Sequence, residues 1–143
     1  MSSPPKVFLD ANIIFSAALG GPAFELLLRL ANEGAVRLVT GYSCVVEASR
    51  NVERKRPDRQ QAFGDTLAPL SIEQDEESDE HAEWATKLVH PDDVHVLAAA
   101  RRVGAQVLIT GDTTHFGHLM KRNDLGPRVR TLRAFLLEGP LRA

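Results

Sequence analysis

The chain has 143 residues, of which 43% are hydrophobic and 25% charged, and its formal net charge is −2. This length predicts a single domain over residues 1–143, with a core of about residues 6–137 that is large enough to fold without disulfides. The charge argues against a general nucleic-acid coat protein. The basic residues are clustered, however, so an anionic polymer is not excluded as substrate.

Cysteine content and hydropathy limit the cellular locations that the sequence allows. The only cysteine is Cys44, which excludes an internal disulfide and a cysteine-rich zinc site. Its neighbours are apolar, so we expect a small buried core residue. The N-terminal residues form no long apolar stretch, and no later run reaches the roughly 18 apolar residues of a membrane helix. We therefore expect no secretory signal, no membrane span and a cytoplasmic location.

Short apolar runs alternate along the chain with segments of helical spacing. The runs predict strands at residues 6–10, 35–39, 68–72, 105–109 and 128–129. The helical segments are 23–32, 43–53, 58–67, 93–102 and 132–137, and 113–122 reads as a loop or short helix. Gly34 and Gly104 are expected to end the helices that precede them. The acidic run 73–83 is typical of a solvated helix face.

Strands that alternate with helices predict an α/β fold, a doubly wound three-layer α/β/α sandwich with a mainly parallel five-stranded sheet. Right-handed crossovers with one reversal of winding give an order such as 3-2-1-4-5. Strands one and four are then neighbours, and ligands bind beyond their carboxyl ends. Asp10 follows the run Val7–Leu9, and Asp112 follows Val107–Ile109, so the two carboxylates should face each other there.

Two further acids are candidates for the same crevice. Glu47 lies about one turn into the helix after strand two, and Asp93 opens the helix before strand four. Taken singly, the ordinary interpretations are an exposed helical glutamate and a helix-capping aspartate. Carboxylates gathered in one crevice repel each other unless a cation compensates them. Mg²⁺, which prefers oxygen ligands, is the natural partner for such a group.

The histidines have less specific interpretations. His95 lies between apolar residues of a helix, so we expect a packed or partly buried side chain. His115 and His118 follow Asp112, and the simplest interpretation is a pair of solvent-facing loop residues. They are also the best-placed acid and base for a metal-free nuclease. We expect no zinc site, because no histidine pair lies on a regular face with a third ligand.

Four blocks of sequence, taken in order, resemble the PIN domain. They are Leu9-Asp10-Ala11-Asn12, Glu47-Ala48-Ser49-Arg50, the helix that begins at Asp93-Val94-His95, and Leu108-Ile109-Thr110-Gly111-Asp112-Thr113-Thr114-His115-Phe116. The likeness spans residue 6 to about 137, and the Thr-Gly-Asp block is its most specific part. Within the family, the chain is most similar to the VapC-type toxins.

The resemblance implies a Mg²⁺-dependent endoribonuclease, with Mn²⁺ as a substitute, that acts as the toxin of a type II toxin–antitoxin pair. RNA is then the substrate, and the expected protein partners are a cognate antitoxin and a second copy of the chain. Asp10, Glu47, Asp93 and Asp112 match the family's catalytic, metal-binding acids. Asn12 and Thr110 match supporting positions, Thr110 through a hydroxyl that positions a metal water. His90 stands where relatives often have an acid, which puts a second, weaker metal position in doubt.

A basic run begins on the helix that carries Glu47. Arg50, Arg54 and Lys55 either form a phosphate track for RNA or are ordinary surface charge. Two other functions remain open. One is a PIN-like module that binds a partner without catalysis. The other is a receiver-type phosphoacceptor domain, which is disfavoured because no suitable aspartate follows Leu70-Ser71-Ile72 and Arg130, not lysine, follows Val129.

Overall fold

The computed structural model describes residues 3–74 and 79–139. The five strands are β1 (Lys6–Leu9), β2 (Arg37–Gly41), β3 (Ser71–Glu73), β4 (Val107–Ile109) and β5 (Arg128–Arg130). The eight helices in this part of the chain are α1 (Ala11–Ala18), α2 (Pro22–Asn32), α3 (Tyr42–Lys55), α4 (Gln60–Leu67), α5 (Glu80–Thr86), α6 (Val94–Arg102), α7 (Thr113–Phe116) and α8 (Leu132–Glu138). Short 3-10 turns cover Pro57–Arg59, Pro91–Asp93 and Gly117–Leu119.

The strands form one parallel sheet in the order β3-β2-β1-β4-β5, which confirms the predicted topology. The central strand β1 pairs with β2 on one side and β4 on the other, with Phe8 opposite both Val39 and Leu108. The chain moves outward from β1 to β3 and then crosses back to β4. The switch point therefore lies between the ends of β1 and β4, next to Asp10 and Asp112.

Helices cover both faces of the sheet. Helices α1, α3 and α4 pack against one another, and α5 packs against α6. With right-handed crossovers, the reversal of winding after β3 places these two groups on opposite faces. This arrangement confirms the three-layer α/β/α sandwich. The side chains of Val7, Phe8 and Leu9 are fully buried, as a strand covered on both faces requires.

Strands β2 and β4 begin later than predicted, because the residues predicted to start them form part of the C-terminal ends of helices α2 and α6. Gly34 and Gly104 have positive φ angles of 79° and 75°. The next residue in each case donates its amide back to the helix, Ala35 to the Leu30 carbonyl and Ala105 to the Ala100 carbonyl, at 2.9 and 3.0 Å. This closure is a Schellman motif. It keeps residues 35–36 and 105–106 out of the strands, so both glycines end helices as expected. Strand β3 also starts late, at Ser71, after a turn in which Leu70 bonds the Leu67 carbonyl.

Helix α1 was not predicted. It starts directly after β1, and the Asp10 side chain caps it by accepting a hydrogen bond from the Ala11 amide at 2.8 Å. The acidic run 73–83 enters α5 only at Glu80, and residues 75–78 of that run lie outside the described residues. Among the residues described, no single helix is long and apolar enough to cross a membrane. The pair α1–α2 meets the length and composition test jointly but is bent by 106°.

Candidate active site

A cavity of about 300 Å³ opens at the carboxyl ends of β1 and β4. All four acids that the sequence singled out line it, which places them together although they come from four separate segments. The other lining residues are Ala11, Asn12, Asn51, Asp92, His95, Val96 and His115. The fold therefore gathers the predicted carboxylates at the switch point.

Asp10 is the most enclosed of these acids, with 6% of its surface exposed. Its Oδ1 accepts the Ala11 amide and the Cys44 thiol, the latter at 3.9 Å. Its Oδ2 accepts the Thr110 hydroxyl at 2.8 Å and the Asn12 amide at 3.3 Å. Burial raises the pKa of Asp10, and the hydrogen bonds from Thr110 and Ala11 oppose that rise. The carboxylate is thus held in one orientation by four donors.

Thr110 and Asn12 tie the β1 and β4 ends together. The Thr110 hydroxyl donates to Asp10 and accepts from the Asp112 amide at 3.1 Å and from Asn12 Nδ2 at 3.2 Å. Asn12 Oδ1 accepts the Gly111 amide at 2.8 Å. One donation and two acceptances are the full capacity of a hydroxyl, and Thr110 is fully buried. Thr110 therefore orients Asp10 and Asp112 directly, and its expected contact with a metal-bound water stays a prediction.

Asp112 and Asp93 meet at His115. Asp112 caps α7 by accepting the His115 amide through Oδ1, and its Oδ2 lies 3.2 Å from His115 Nδ1. Asp93 precedes α6 but makes no side-chain cap, so the capping interpretation of this residue is wrong. Its Oδ2 instead lies 2.6 Å from His115 Nδ1. That contact is an ion pair by distance but lacks hydrogen-bond geometry, and the buried Oδ2 has no hydrogen-bond partner among the described residues.

Glu47 faces the same cavity from α3. It is exposed on its helix and also lines the cavity wall. Glu47 is therefore both the exposed helical glutamate and the cavity residue that the sequence allowed. Desolvation raises the pKa of Glu47, with repulsion from Asp10 and Asp93 adding to the rise and His95 opposing it. Burial is the largest cause of the raised pKa values of both Glu47 and Asp10, and repulsion between neighbouring carboxylates adds to it, so the cavity disfavours the charged form of both acids.

The comparison with protein families decides the identity of the domain. A family model described as the PIN domain matches residues 6–114. The chain belongs to the PIN domain family. A comparison with curated protein sequences finds no match. Membership of this family removes the receiver-type alternative and confirms the family resemblance of the sequence blocks.

Solved structures share the PIN fold at low sequence identity. A toxin–antitoxin complex from Klebsiella pneumoniae is 19% identical, with a TM-score of 0.62, over 88% of this chain and 97% of that one. VapBC-1 from nontypeable Haemophilus influenzae is also 19% identical, with a TM-score of 0.60, over 90% and 98%. VapC20 from Mycobacterium tuberculosis, a sarcin-ricin loop cleaving toxin, is 15% identical, with a TM-score of 0.51, over 76% and 91%.

Histidine side chains contact the acids and line the cavity to a greater extent than the sequence predicted. His115 is not a solvent-facing loop residue, because its ring contacts Asp93 and Asp112. The His90 ring stacks on it, with centroids 4.8 Å apart and an interplanar angle of 5°. His95 is exposed and lines the cavity instead of packing in the core. His118 points elsewhere, since its Nε2 contacts the Leu88 carbonyl at 2.6 Å.

The basic run from Arg50 to Arg59 contains side chains exposed on α3 and side chains that contact other parts of the protein. Arg50 and Arg54 are exposed on α3, three and seven residues after Glu47 and so on the same helical stripe. The Lys55 ammonium lies 5.6 Å from the centre of the Phe15 ring in α1. Arg59 donates to the Ala18 carbonyl at 2.8 Å. The two arginines are therefore the best-placed members of the run for a substrate that enters the cavity.

Cys44 behaves as the sequence predicted. It is 1% exposed, and burial together with the neighbouring Asp10 charge raises the pKa of its thiol to about 12. A thiol with that pKa is not a nucleophile at neutral pH. Its contribution to the cavity is the weak hydrogen bond to Asp10.

Proposed function

We propose that this PIN domain is a divalent-metal-dependent endoribonuclease and the toxin of a toxin–antitoxin pair. The observation that carries the proposal is the meeting of Asp10, Glu47, Asp93 and Asp112 at one cavity. A PIN fold without nuclease activity has no need to gather four carboxylates whose charges repel each other at one cavity. The VapC20 neighbour supports the choice of RNA, since that toxin is described as sarcin-ricin loop cleaving.

The residues present fit a divalent cation such as Mg²⁺ or Mn²⁺. The four acids offer hard oxygen donors of the kind these ions prefer. The Asp93 Oδ2 is buried without a hydrogen-bond partner in the part of the chain that the structure describes, and the pKa values of Asp10 and Glu47 are raised. A bound cation would provide a partner for Asp93 Oδ2 and would lower the pKa values of Asp10 and Glu47. When bound, such an ion supplies Lewis acidity and a more acidic water for phosphodiester hydrolysis.

The chain's own residues orient the reacting groups. Thr110 and Asn12 fix the Asp10 carboxylate, and the cap to the His115 amide fixes the Asp112 carboxylate. These ligands are therefore held before substrate arrives, so that little reorganisation is needed during the reaction. Glu47, which is exposed and makes no hydrogen bond among the described residues, is free to accept a proton from the attacking water. Its raised pKa suits that role.

We infer that Arg50 and Arg54 guide the RNA backbone toward Glu47. Both lie on the helical stripe that also carries Asn51, a residue of the cavity wall. Each phosphate that the protein neutralises releases counterions, which gives binding a steep salt dependence. Lys55 belongs to the same run, but its position over Phe15 gives it a packing role as well.

A metal-free reaction is the chemical alternative. It uses the RNA 2′-hydroxyl as nucleophile and requires a general acid and a general base, commonly two histidines. The predicted pair does not form, because His118 faces the Leu88 carbonyl while His115 faces two carboxylates. The stacked pair of His90 and His115 is the remaining candidate.

The proposed partners follow from the function. Two structural neighbours are described as a toxin–antitoxin complex and as VapBC-1, which supports a cognate antitoxin for this chain. A homodimer and a cytoplasmic location complete the proposal, since a toxin that cleaves cellular RNA works where that RNA is. The non-catalytic alternative keeps the antitoxin-like partner but predicts no cleavage.

The experiment that tests the proposal is cleavage of total cellular RNA by the purified protein. We expect cleavage with Mn²⁺ or Mg²⁺, none in EDTA, and recovery when Mn²⁺ is added in excess of EDTA. Asp112→Asn should abolish it, and Arg133→Ala, on α8 away from the cavity, should not. Absence of cleavage under all metal conditions would favour the binding module.

A further inference from the structure

The strongest unassigned feature is a cluster of His90, Asp93 and His115 at one side of the cavity. One nitrogen from each ring and one Asp93 oxygen all lie within 4.8 Å of one another. The three residues come from the loop before α6, the turn at its start, and α7. The expectation of no zinc site rested on the lack of a histidine pair with a third ligand on one regular face, whereas the fold brings such a set together from separate segments.

We propose that these three side chains form a second metal position that takes a late first-row divalent cation, Zn²⁺ being the usual biological example. Two imidazoles and one carboxylate are the donor set of an open zinc site, with the fourth position left for water or a substrate oxygen. Imidazole donors favour Zn²⁺ and Co²⁺ over Mg²⁺, which prefers oxygen alone. His90 thus changes the preference of the position and does not remove it.

Three observations favour a cation at the cluster over a simple ion pair. The Asp93 Oδ2 is buried and lacks a hydrogen-bond partner among the described residues, although His115 Nδ1 lies 2.6 Å away. One donor atom from each of the three side chains lies within 4.8 Å of the other two, and the stacked rings need only tilt for both to reach one ion. Finally, His90 Nδ1 lies 3.6 Å from Asp92 Oδ2.

The Asp92 carboxylate completes the arrangement. In the present rotamer, His90 Nδ1 accepts the Asp92 amide at 3.1 Å. When the other ring nitrogen binds a cation, Nδ1 carries the proton and can no longer accept the Asp92 amide, so the ring must turn toward the Asp92 carboxylate, whose Oδ2 lies 3.6 Å from Nδ1. A carboxylate behind a metal-binding histidine is the usual means of fixing its tautomer.

The proposal is tested by titrating the metal-free protein with Co²⁺, whose visible absorption reports its ligands. The titration is done in the presence of millimolar Mg²⁺, followed by displacement with Zn²⁺. We expect one Co²⁺ to bind despite the Mg²⁺, and Zn²⁺ to bleach its spectrum. His90→Ala, at an exposed position that tolerates truncation, should weaken Co²⁺ binding at least about tenfold. His115→Ala should do the same.

Matched variants separate this inference from the proposed ribonuclease. His118→Ala removes a nearby histidine that faces away from the cavity, so it should bind Co²⁺ like the parent. Asp10→Asn should abolish RNA cleavage yet keep the Co²⁺ spectrum, because Asp10 is not in the cluster. His90→Asp should lower the preference for Co²⁺ over Mg²⁺. Failure of the parent to bind Co²⁺ more tightly than Mg²⁺, or equal losses in His118→Ala and His90→Ala, would overturn the second site.

Discussion

Replacing Thr110 with valine removes the hydroxyl that links the two central aspartates while preserving the shape of the side chain. In the folded protein, that hydroxyl donates to Asp10 and accepts from the Asp112 amide and the Asn12 side chain. Thr110 is fully buried, so water cannot take its place without a rearrangement. We expect Thr110→Val to lose both stability and RNA cleavage.

The magnitude follows from the kind of hydrogen bond that is lost. A bond to an ionised group contributes about 1.5–3 kcal/mol, against about 0.5–1.5 kcal/mol for a neutral pair. The bond to Asp10 is of the first kind when its carboxyl group is ionised. The Asp112 and Asn12 donors are only partly buried and can turn toward water, so they add less. The free energy of unfolding should therefore fall by about 1.5–3 kcal/mol, and the pKa of Asp10 should rise further.

Two control variants make the comparison specific. Thr40→Val removes another fully buried hydroxyl, which donates to the Leu9 carbonyl at 2.7 Å and also bonds the Cys44 thiol, so its link to Asp10 is indirect. It should cost about 0.5–1.5 kcal/mol and leave cleavage nearly intact. Thr110→Ser keeps the hydroxyl and should retain most activity. Stability is measured by urea unfolding in EDTA, and activity by RNA cleavage with Mn²⁺.

Either of two results would refute this role of the Thr110 hydroxyl. If Thr110→Val and Thr40→Val reduce cleavage equally, the hydroxyl at Thr110 has no special link to the site. If Thr110→Val cleaves RNA like the parent, Asp10 does not depend on that hydrogen bond for its orientation.

Three further predictions concern neighbouring residues. Asp10→Asn should not destabilise the metal-free protein at pH 7. The parent should gain stability as the pH falls through the raised folded pKa of Asp10, because the buried carboxylate then loses its charge. Urea unfolding at several pH values checks both statements, and a clearly less stable Asp10→Asn would indicate a structural role for the carboxylate. Gly111→Ala should reduce the rate of RNA cleavage with little change in Tm, because the added Cβ would lie 3.3 Å from Asn12 Oδ1 and displace that side chain. An unchanged cleavage rate would show that the Asn12 side chain can move without loss of activity. Replacing Arg50 and Arg54 by alanine should flatten the salt dependence of RNA binding by about 0.7 per lost phosphate contact, and an unchanged slope would move the RNA path elsewhere.

The positions of the four acids could be predicted from the sequence because they depend on topology. Short apolar runs identify β1 and β4 as buried strands, and a doubly wound sheet makes them neighbours. Asp10 and Asp112 are then fixed at the same edge with no knowledge of side-chain geometry. Glu47 follows because a helix after a parallel strand starts at that same edge. These inferences needed only the order of elements, which tolerates errors of two residues in strand ends.

Features that depend on side-chain orientation were missed. Helix α1 was hidden because Ile13, Ile14 and Phe15 favour strands locally, whereas the Asp10 cap and packing against α3 and α4 decide for a helix. His95 was expected to be packed or partly buried because its sequence neighbours are apolar. Neighbours on a helix point about 100° apart, however, so buried Val96 and Leu97 leave His95 outside.

The cluster of His90, Asp93 and His115 has no local sequence signal. His90 and His115 are 25 positions apart and lie in a loop and a four-residue helix, so no helical or strand period relates them. Only the chain's path around β4 brings the rings into a stack. One available signal was that His90 occupies a position where an acid was expected, next to a predicted ligand at Asp93.

The central claim is hydrolysis of RNA by a metal-assisted water, and the chemical ends of the products test it most directly. The parent protein is incubated with a defined RNA and Mn²⁺, and the fragments are analysed by mass spectrometry. Water attack with the 3′-oxygen as leaving group predicts 5′-phosphate and 3′-hydroxyl ends, and no fragments in EDTA. Fragments with 2′,3′-cyclic phosphate ends, or undiminished cleavage in EDTA, would contradict the account and assign the chemistry to His90 and His115.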